Sequence, residues 1–382
     1  MLIFFRALLV AGLAVFAVSC SSTDNSEPPA PLTDIKNALK IDVLWTTDTD
    51  AGIGAGSYNL QPLLVQDRIF TIDTDGLIKS IDANNGKLQW RFATGIQPVA
   101  GLAGNDDIII ASSRDGELNL YARVSNSLVL RWSARLKGEI RSAPVIGARN
   151  LFIRTMDGRL SAVSIADGDI QWAISHFVPT LSLTGNSSPV LYNDLVIAGF
   201  DDGKILAFDK NNGQQVWQTI VSQPKGRSEI ERLVDIDGQF VLKDGVIYVS
   251  SYQGRLAAIQ AINGEQLWSR NFSSFNAIAI DDQAIYLTSD DSHIWSIDRR
   301  TGSALWAQDV LHARKVSAPL LFADKLIVGD LHGYVHWFNK SDGSLLGRIQ
   351  PGDERYYAQP FAWRNKVLVM DSAGSLSSLA LR

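Results

Sequence analysis

The chain has 382 residues, a formal charge of −5 and no cluster of basic side chains. That balance argues against a nucleic-acid partner, because phosphate binding needs a concentrated lysine and arginine footprint. Cys20 is the single cysteine, which excludes an internal disulfide and a cysteine-based metal cluster. Length alone would suggest two or three domains, but closed repeat architectures exceed that expectation as single units.

At the start of the chain, Arg6 is the only charge before an apolar run from Ala7 to Val18. The run is too short to span a bilayer comfortably and reads as a secretory signal, not an anchor. It ends in Ala17-Val18-Ser19-Cys20, which resembles a bacterial lipobox, with Ala17 where leucine is usual. Residues 1–19 are therefore expected to be a lipoprotein signal peptide, and Cys20 the acylated new N-terminus. By resemblance to bacterial sorting rules, Ser21 in place of aspartate implies the periplasmic face of the outer membrane. Ser21 to Pro31 is rich in Ser, Pro, Asp and Glu and cannot bury apolar surface, so residues 20–40 are read as a flexible tether.

From residue 41 to 382 the chain repeats. Leu44-Trp45, Gln89-Trp90, Arg131-Trp132, Gln171-Trp172, Val216-Trp217, Leu267-Trp268 and Leu305-Trp306 end alike, with successive tryptophans 45, 42, 40, 45, 51 and 38 residues apart. This is the period of a four-stranded propeller blade. The plan is clearest from Pro189 to Trp217, where Asp202-Gly203 and Asn212-Gly213 separate short β-branched runs. Such dipeptides supply the positive φ of tight hairpins. Asp75-Gly76, Asp115-Gly116 and Asp157-Gly158 repeat the first of these turns. Gln253-Gly254, Asp291-Ser292, His332-Gly333 and Ala373-Gly374 are looser versions, and eight turns imply eight blades.

Helical periodicity is nowhere sustained, so the fold class is all-β: a single eight-bladed β-propeller of four-stranded antiparallel blades. The last unit, Gln359 to Leu381, holds only three strands, while the chain opens with an orphan Leu44-Trp45 strand. The Trp45 strand is therefore expected to be the outermost strand of the last blade, closing the ring and removing its exposed edges. Six tryptophans stand four residues after the turn glycine or its equivalent and are read as wedges between neighbouring blades. In the seventh unit Gly343 leads to Gly347 instead, so that joint lacks its wedge. Trp295, Trp337 and Trp363 lie outside the pattern, as local packing or as surface contacts.

The run Asp82 to Trp90, with relatives at Asp209 to Trp217 and Asp298 to Trp306, resembles the tryptophan-docking repeat of pyrroloquinoline-quinone dehydrogenases. At closer range the lipobox and closing strand, with Pro179-Thr-Leu-Ser-Leu-Thr-Gly185 and Ser228-Glu-Ile-Glu-Arg-Leu-Val-Asp-Ile-Asp237, resemble the BamB family. Its members are β-propeller lipoproteins of the outer-membrane barrel assembly (BAM) machinery. Gly52-Ile-Gly54 with Ser57-Tyr58-Asn59-Leu60 also fits. The resemblance implies a scaffold that binds the periplasmic domains of BamA and the other BAM components, aids assembly of outer-membrane proteins, and is a candidate to meet unfolded clients.

Loop length points to one surface. The links 175–188 and 221–239 join equivalent strand positions on adjacent blades and so share a rim, with the Asp75 and Asp115 turns assigned to the opposite one. The first link displays Leu181 and Leu183 beside Pro179; the second displays Glu229, Glu231, Arg232, Asp235 and Asp237. Apolar anchors beside charges are what a protein interface offers, although the leucines could instead fold back on the blades and the charges be solvated. By the resemblance Leu181, Leu183, Asp235 and Asp237 carry over to the BamA-binding surface. Where that family offers an arginine after the second leucine, this chain has Thr184, so a salt bridge from that point does not carry over.

No catalytic set emerges. Quinone enzymes resemble one another in having vicinal cysteines and a carboxylate-held calcium, and this chain has no cysteine pair. His332 and His336, taken as one strand, would stand ~13 Å apart, too far to share a metal. Asp201-Asp202-Gly203 and Asp281-Asp282 lack the alternating ligands of a calcium loop, and Gly52 to Gly56 lacks the lysine of a phosphate loop. No metal, cofactor or enzymatic activity is expected. The competing reading is a periplasmic quinoprotein-like propeller that holds a small ligand in its channel or acts as a dehydrogenase.

Overall fold

The computed structural model describes residues 27–52, 60–179, 181, 187–223, 236, 240–251, 254–274 and 276–382. The signal peptide, Cys20, the 53–59 segment and the Gln253 turn position lie outside them. The described residues form 32 strands and no helix, gathered in eight four-stranded antiparallel sheets. In chain order the blades occupy residues 63–93, 103–135, 145–175, 190–220, 241–271, 279–308 and 320–349. The eighth combines Phe361–Trp363, Lys366–Met370 and Ser375–Leu381 with Ile41–Asp48.

Ile41–Asp48 pairs with Ser375–Leu381 from Ile41 opposite Leu381 to Asp48 opposite Ser375. The expected closure is what the chain does, with its first strand outermost in its last blade.

In six of the blades the first strand touches its counterpart in a neighbouring blade. The middle two strands are almost wholly buried, and the outer strand alternates exposed with half-buried residues. The core is correspondingly a ring of eight apolar clusters, one between each pair of adjacent blades. A blade's two faces are both interior, which is why its central strands read as unbroken apolar runs.

The tryptophan joint has a consistent construction. The pairing of third and outer strand shifts by one residue just before the tryptophan, as between Ala207 opposite Trp217 and Phe208 opposite Gln215. A bulge of this kind bends the strand and re-aims the side chain; it leaves Val216 54% exposed while Trp217 is 8% exposed. The indole then lies on the turn glycine of the next blade. Gly213 has φ +73°, and a β-carbon there would lie 2.7 Å from Cε3 of Trp172, so conformation and space both require glycine. The indole Nε1 of Trp172 donates to the Lys210 carbonyl at 3.1 Å, and Trp132, Trp217, Trp268 and Trp306 do likewise in their joints. Trp90 meets no turn glycine and leans on Phe70 at 5.8 Å.

Trp337 is fully buried, Trp363 donates to the Gln66 carbonyl at 3.0 Å, and Trp295 meets Phe272 edge-on. All three are packing residues.

The structure differs from expectation at the tether. Residues from Ala30 to Lys40 lie along blade 7. Ala30 N donates to the His312 carbonyl at 3.0 Å and Ala38 N to the Leu346 carbonyl at 2.8 Å. Asn37 bonds both ways with the Arg348 backbone at 3.1 Å. Leu32, Leu39 and Ile41 join the clusters on either side of that blade. Three apolar side chains spaced along a polar segment suffice to dock it where an edge strand offers free backbone groups.

Candidate functional site

Four antiparallel strands per blade put two kinds of connection on each rim. The link from an outer strand to the next blade emerges with the hairpin between the second and third strands. Direct bonds show this: Thr94 N donates to the Gly76 carbonyl and His176 N to the Gly158 carbonyl, each at 2.9 Å. The Asp75 and Asp115 turns therefore share the rim of the long links, not the opposite one as expected; two strands separate each turn from its link, which returns the chain to the same side.

On this rim the links 176–189 and 221–240 meet. Ser187 Oγ donates to the Ile236 carbonyl at 3.0 Å. Ile236 and Phe240 are buried in the core between blades 4 and 5, in a space left by Gly199, where a β-carbon would come within 2.6 Å of the Phe240 ring. The second link thus dips into the propeller at Ile236.

The first link has a fixed base and two exposed apolar side chains. His176 Nε2 lies 3.0 Å from Asp202 Oδ2, which also accepts from Lys204 at 2.6 Å, and the His176 ring rests on Phe200 at 4.5 Å. Beneath it, the fully buried Arg154 of blade 3 pairs with Asp201 of blade 4. Ser188 Oγ donates to the Ala143 carbonyl at 3.0 Å. Between these ties Leu181 is 41% exposed and Phe177 71% exposed.

Leu181 is thus on the surface, as expected. Leu183, Thr184, Glu229, Arg232, Asp235 and Asp237 lie outside the described residues. Phe177 was missed; its signal was an aromatic residue directly preceding Val178-Pro179 in a link already singled out.

Two histidine groups are also on this rim. His332 lies in the turn before Val335–Asn339, not on the strand, and its Nδ1 sits 3.1 Å from an Arg314 guanidinium nitrogen. Arg314 Nε donates to Asp330 Oδ2 at 2.8 Å, and His336 Nε2 meets the same oxygen at 3.0 Å. Burial holds His336 below its ordinary value, outweighing the pull of Asp330. Burial pushes Asp330 the other way, but its bonds to His336 and Arg314 prevail and keep it low.

Separately, His312 Nδ1 stands 3.2 Å from His293 Nε2, with Asp291 and Glu27 against the two rings at 3.3 and 3.0 Å. This second group is a candidate metal set that sequence reading passed over.

A family model described as outer membrane protein assembly factor BamB matches residues 74–308. Outer membrane protein assembly factor BamB of Yersinia pestis is 30% identical over 97% of this chain and 98% of its own length. The protein of the same name from Escherichia coli K12 is 30% identical over 98% and 99%. Among solved structures, BamB from Moraxella catarrhalis matches with a TM-score of 0.80 at 22% identity, covering 89% of this chain and all of that one. A europium-containing methanol dehydrogenase matches with a TM-score of 0.74 at 12% identity, covering 92% and 95%. At such identities a structural likeness speaks for the fold alone. The family model spans well over half of the chain and the sequence matches run nearly end to end: the chain belongs to the outer membrane protein assembly factor BamB family.

Proposed function

We propose that the protein is a non-catalytic scaffold of outer-membrane protein assembly, held to the periplasmic face of the outer membrane by acylated Cys20 and binding the periplasmic domains of BamA with the rim formed by its two long links. The names of its relatives support the assembly role. The observation that supports the rim is the Ser187 to Ile236 bond, which brings the two links into contact, together with the exposure of Phe177 and Leu181 in the first of them. On this reading Phe177, Leu181 and Leu183 are apolar anchors, while Glu229, Arg232, Asp235 and Asp237 form the charged part and Thr184 a neutral contact.

Losing a central apolar anchor commonly costs an interface more than ~1 kcal/mol, and breaking a buried charge pair about 2 to 5 kcal/mol. Phe177→Ala with Leu181→Ala, or Asp235→Ala with Asp237→Ala, should weaken capture of purified BamA periplasmic domains while leaving the melting temperature of the propeller near that of the parent. The control belongs on the other rim, in the turns at Asp106 and Asp194, whose side chains are 60% and 78% exposed. Equal losses for rim and control pairs would move the interface elsewhere.

A further inference from the structure

His293 lies in the hairpin between the second and third strands of blade 6, and His312 in the link from blade 6 to blade 7. Their rings are tilted 48° with centroids 5.2 Å apart, and Nε2 of His293 faces Nδ1 of His312 at 3.2 Å. Zinc–imidazole bonds of ~2.0–2.1 Å in a tetrahedral arrangement separate two ligand nitrogens by roughly 3.3 Å. The gap is therefore already that of two ligands on one ion.

The opposite nitrogens are also occupied. Asp291 Oδ2 stands 3.3 Å from His293 Nδ1 and Glu27 Oε1 stands 3.0 Å from His312 Nε2. A carboxylate on the far nitrogen fixes the tautomer that leaves the facing nitrogen free to ligate, the usual outer arrangement of a histidine metal site. Asp291 is itself within reach, since one ligand atom from each of Asp291, His293 and His312 falls within 4.8 Å of the others. Its side chain is half exposed.

We propose that His293, His312 and Asp291 form a site for a divalent transition-metal ion of zinc-like chemistry, with Glu27 orienting His312 and solvent completing the coordination. Two imidazoles and one carboxylate suit zinc, copper or nickel better than calcium or magnesium, which take oxygen ligands. The site also bears on the segment before the first strand. Ala30 donates to the carbonyl of His312 itself, and the Arg314 guanidinium donates to the Ala30 carbonyl at 2.9 Å. An ion that orders His312 and draws on Glu27 would staple residues 27–32 to blades 6 and 7 at the loop-bearing rim.

The test is a titration of the chelator-stripped full chain with zinc chloride, followed by calorimetry, and with cobalt chloride, followed by visible absorption. One saturable site per chain and an intense low-symmetry cobalt band are expected. His293→Ala with His312→Ala should abolish both at unchanged melting temperature, and Glu27→Gln should weaken zinc binding by ~10-fold, the usual scale for an outer partner. His332→Ala, on the same rim but bonded to Arg314, should change neither. The proposal is overturned by an absence of saturable binding, by a weak cobalt band typical of six water ligands, or by undiminished affinity in the double variant. Should the double variant unfold, His312→Gln, which keeps a polar side chain against Glu27 and leaves the backbone bond to Ala30 in place, carries the same expectation.

Discussion

The joint after blade 7 is built differently from six of the other seven, and at the joint between blades 1 and 2 Trp90 leans on Phe70 instead of a turn glycine. At those six an indole lies on a turn glycine of the next blade, as Trp217 does on Gly264. At the joint after blade 7 the corresponding position is Gly347, and the room beside it is taken by Asn37 and Ile41, whose nearest atoms would stand 3.4 and 3.5 Å from a β-carbon there. The carbonyl of Leu346, at the bulge, accepts Ala38 N. An internal repeat can deliver the same wedge at each copy, but the joint beside the closure is where the N-terminal segment must pass on its way to the last blade. That segment replaces the wedge with hydrogen bonds and aliphatic contacts, so the two joints rest on different forces and should fail differently.

The largest effect is expected from removing residues through Trp45. This deletes most of the outer strand of blade 8, the Trp45 contact with Gly86 and the segment against Gly347 together, exposing two sheet edges. Cooperative unfolding should be lost or the melting temperature should fall steeply, as followed by circular dichroism. A truncated chain that melted like the parent would mean that ring closure adds nothing to stability.

Next in size, Trp217→Ala should cost about 3 to 5 kcal/mol, the range for emptying a buried aromatic site, because Trp217 is 8% exposed within the core between blades 4 and 5. Asn37→Ala should cost about 1 kcal/mol, since its two hydrogen bonds are solvent-exposed and the backbone groups they serve can turn to water. Denaturant titrations of the two variants measure the contrast directly. Comparable losses would show that the segment is as integral to its joint as the indoles are to theirs.

The repeat, the blade count and the closure were legible because each rests on local chemistry: Asp-Gly turns, apolar runs two faces deep, and a tryptophan at fixed distance from a glycine. The docking of residues 30–40 was not, because its composition is that of a linker and it is held by a few side chains, Leu32, Asn37 and Leu39, and by backbone bonds at Ala30 and Ala38 that no sequence pattern announces. The His293 and His312 pair was missed because attention to neighbouring histidines found only His332 and His336. The repeat itself held the clue. A hairpin residue meets the link that follows it some 18 to 20 positions later, as Gly76 meets Thr94, Gly116 meets Leu136 and Gly158 meets His176, and His293 and His312 are 19 apart. The same geometry, applied with care, would also have placed the Asp75 and Asp115 turns on the correct rim. Of the candidate interface, the long links were evident from length, whereas the exposure of Phe177 depends on how its base is tied by Asp202.

The smallest expected effect is a response to acid on the side of blade 7 that faces blade 6. Blade 7 carries the buried set Arg314, Asp330 and His336, and Arg314 also holds Ala30 of the docked segment. His336 is fully buried and its Nδ1 has no hydrogen-bond partner, so a proton there would sit uncompensated, and burial keeps its affinity for that proton below the ordinary value near 6.5. Above that value both folded and unfolded chains carry neutral imidazole and nothing is lost. Below it the unfolded chain takes up a proton that the native chain resists, so stability falls with pH by at most about 1.4 kcal/mol per unit for this one group. Asp330, held low, acts in a separate window beneath about 3.8, where its stabilisation is lost on protonation. His312 has the opposite sign: its hydrogen bond to Glu27 holds it high, so its contribution is present below the ordinary histidine value and fades as pH rises through its folded one. Denaturant unfolding between pH 7 and 5 should therefore show a slope that His336→Gln flattens and Trp217→Ala leaves in place. An unchanged slope in the His336 variant would assign the acid sensitivity to another part of the ring.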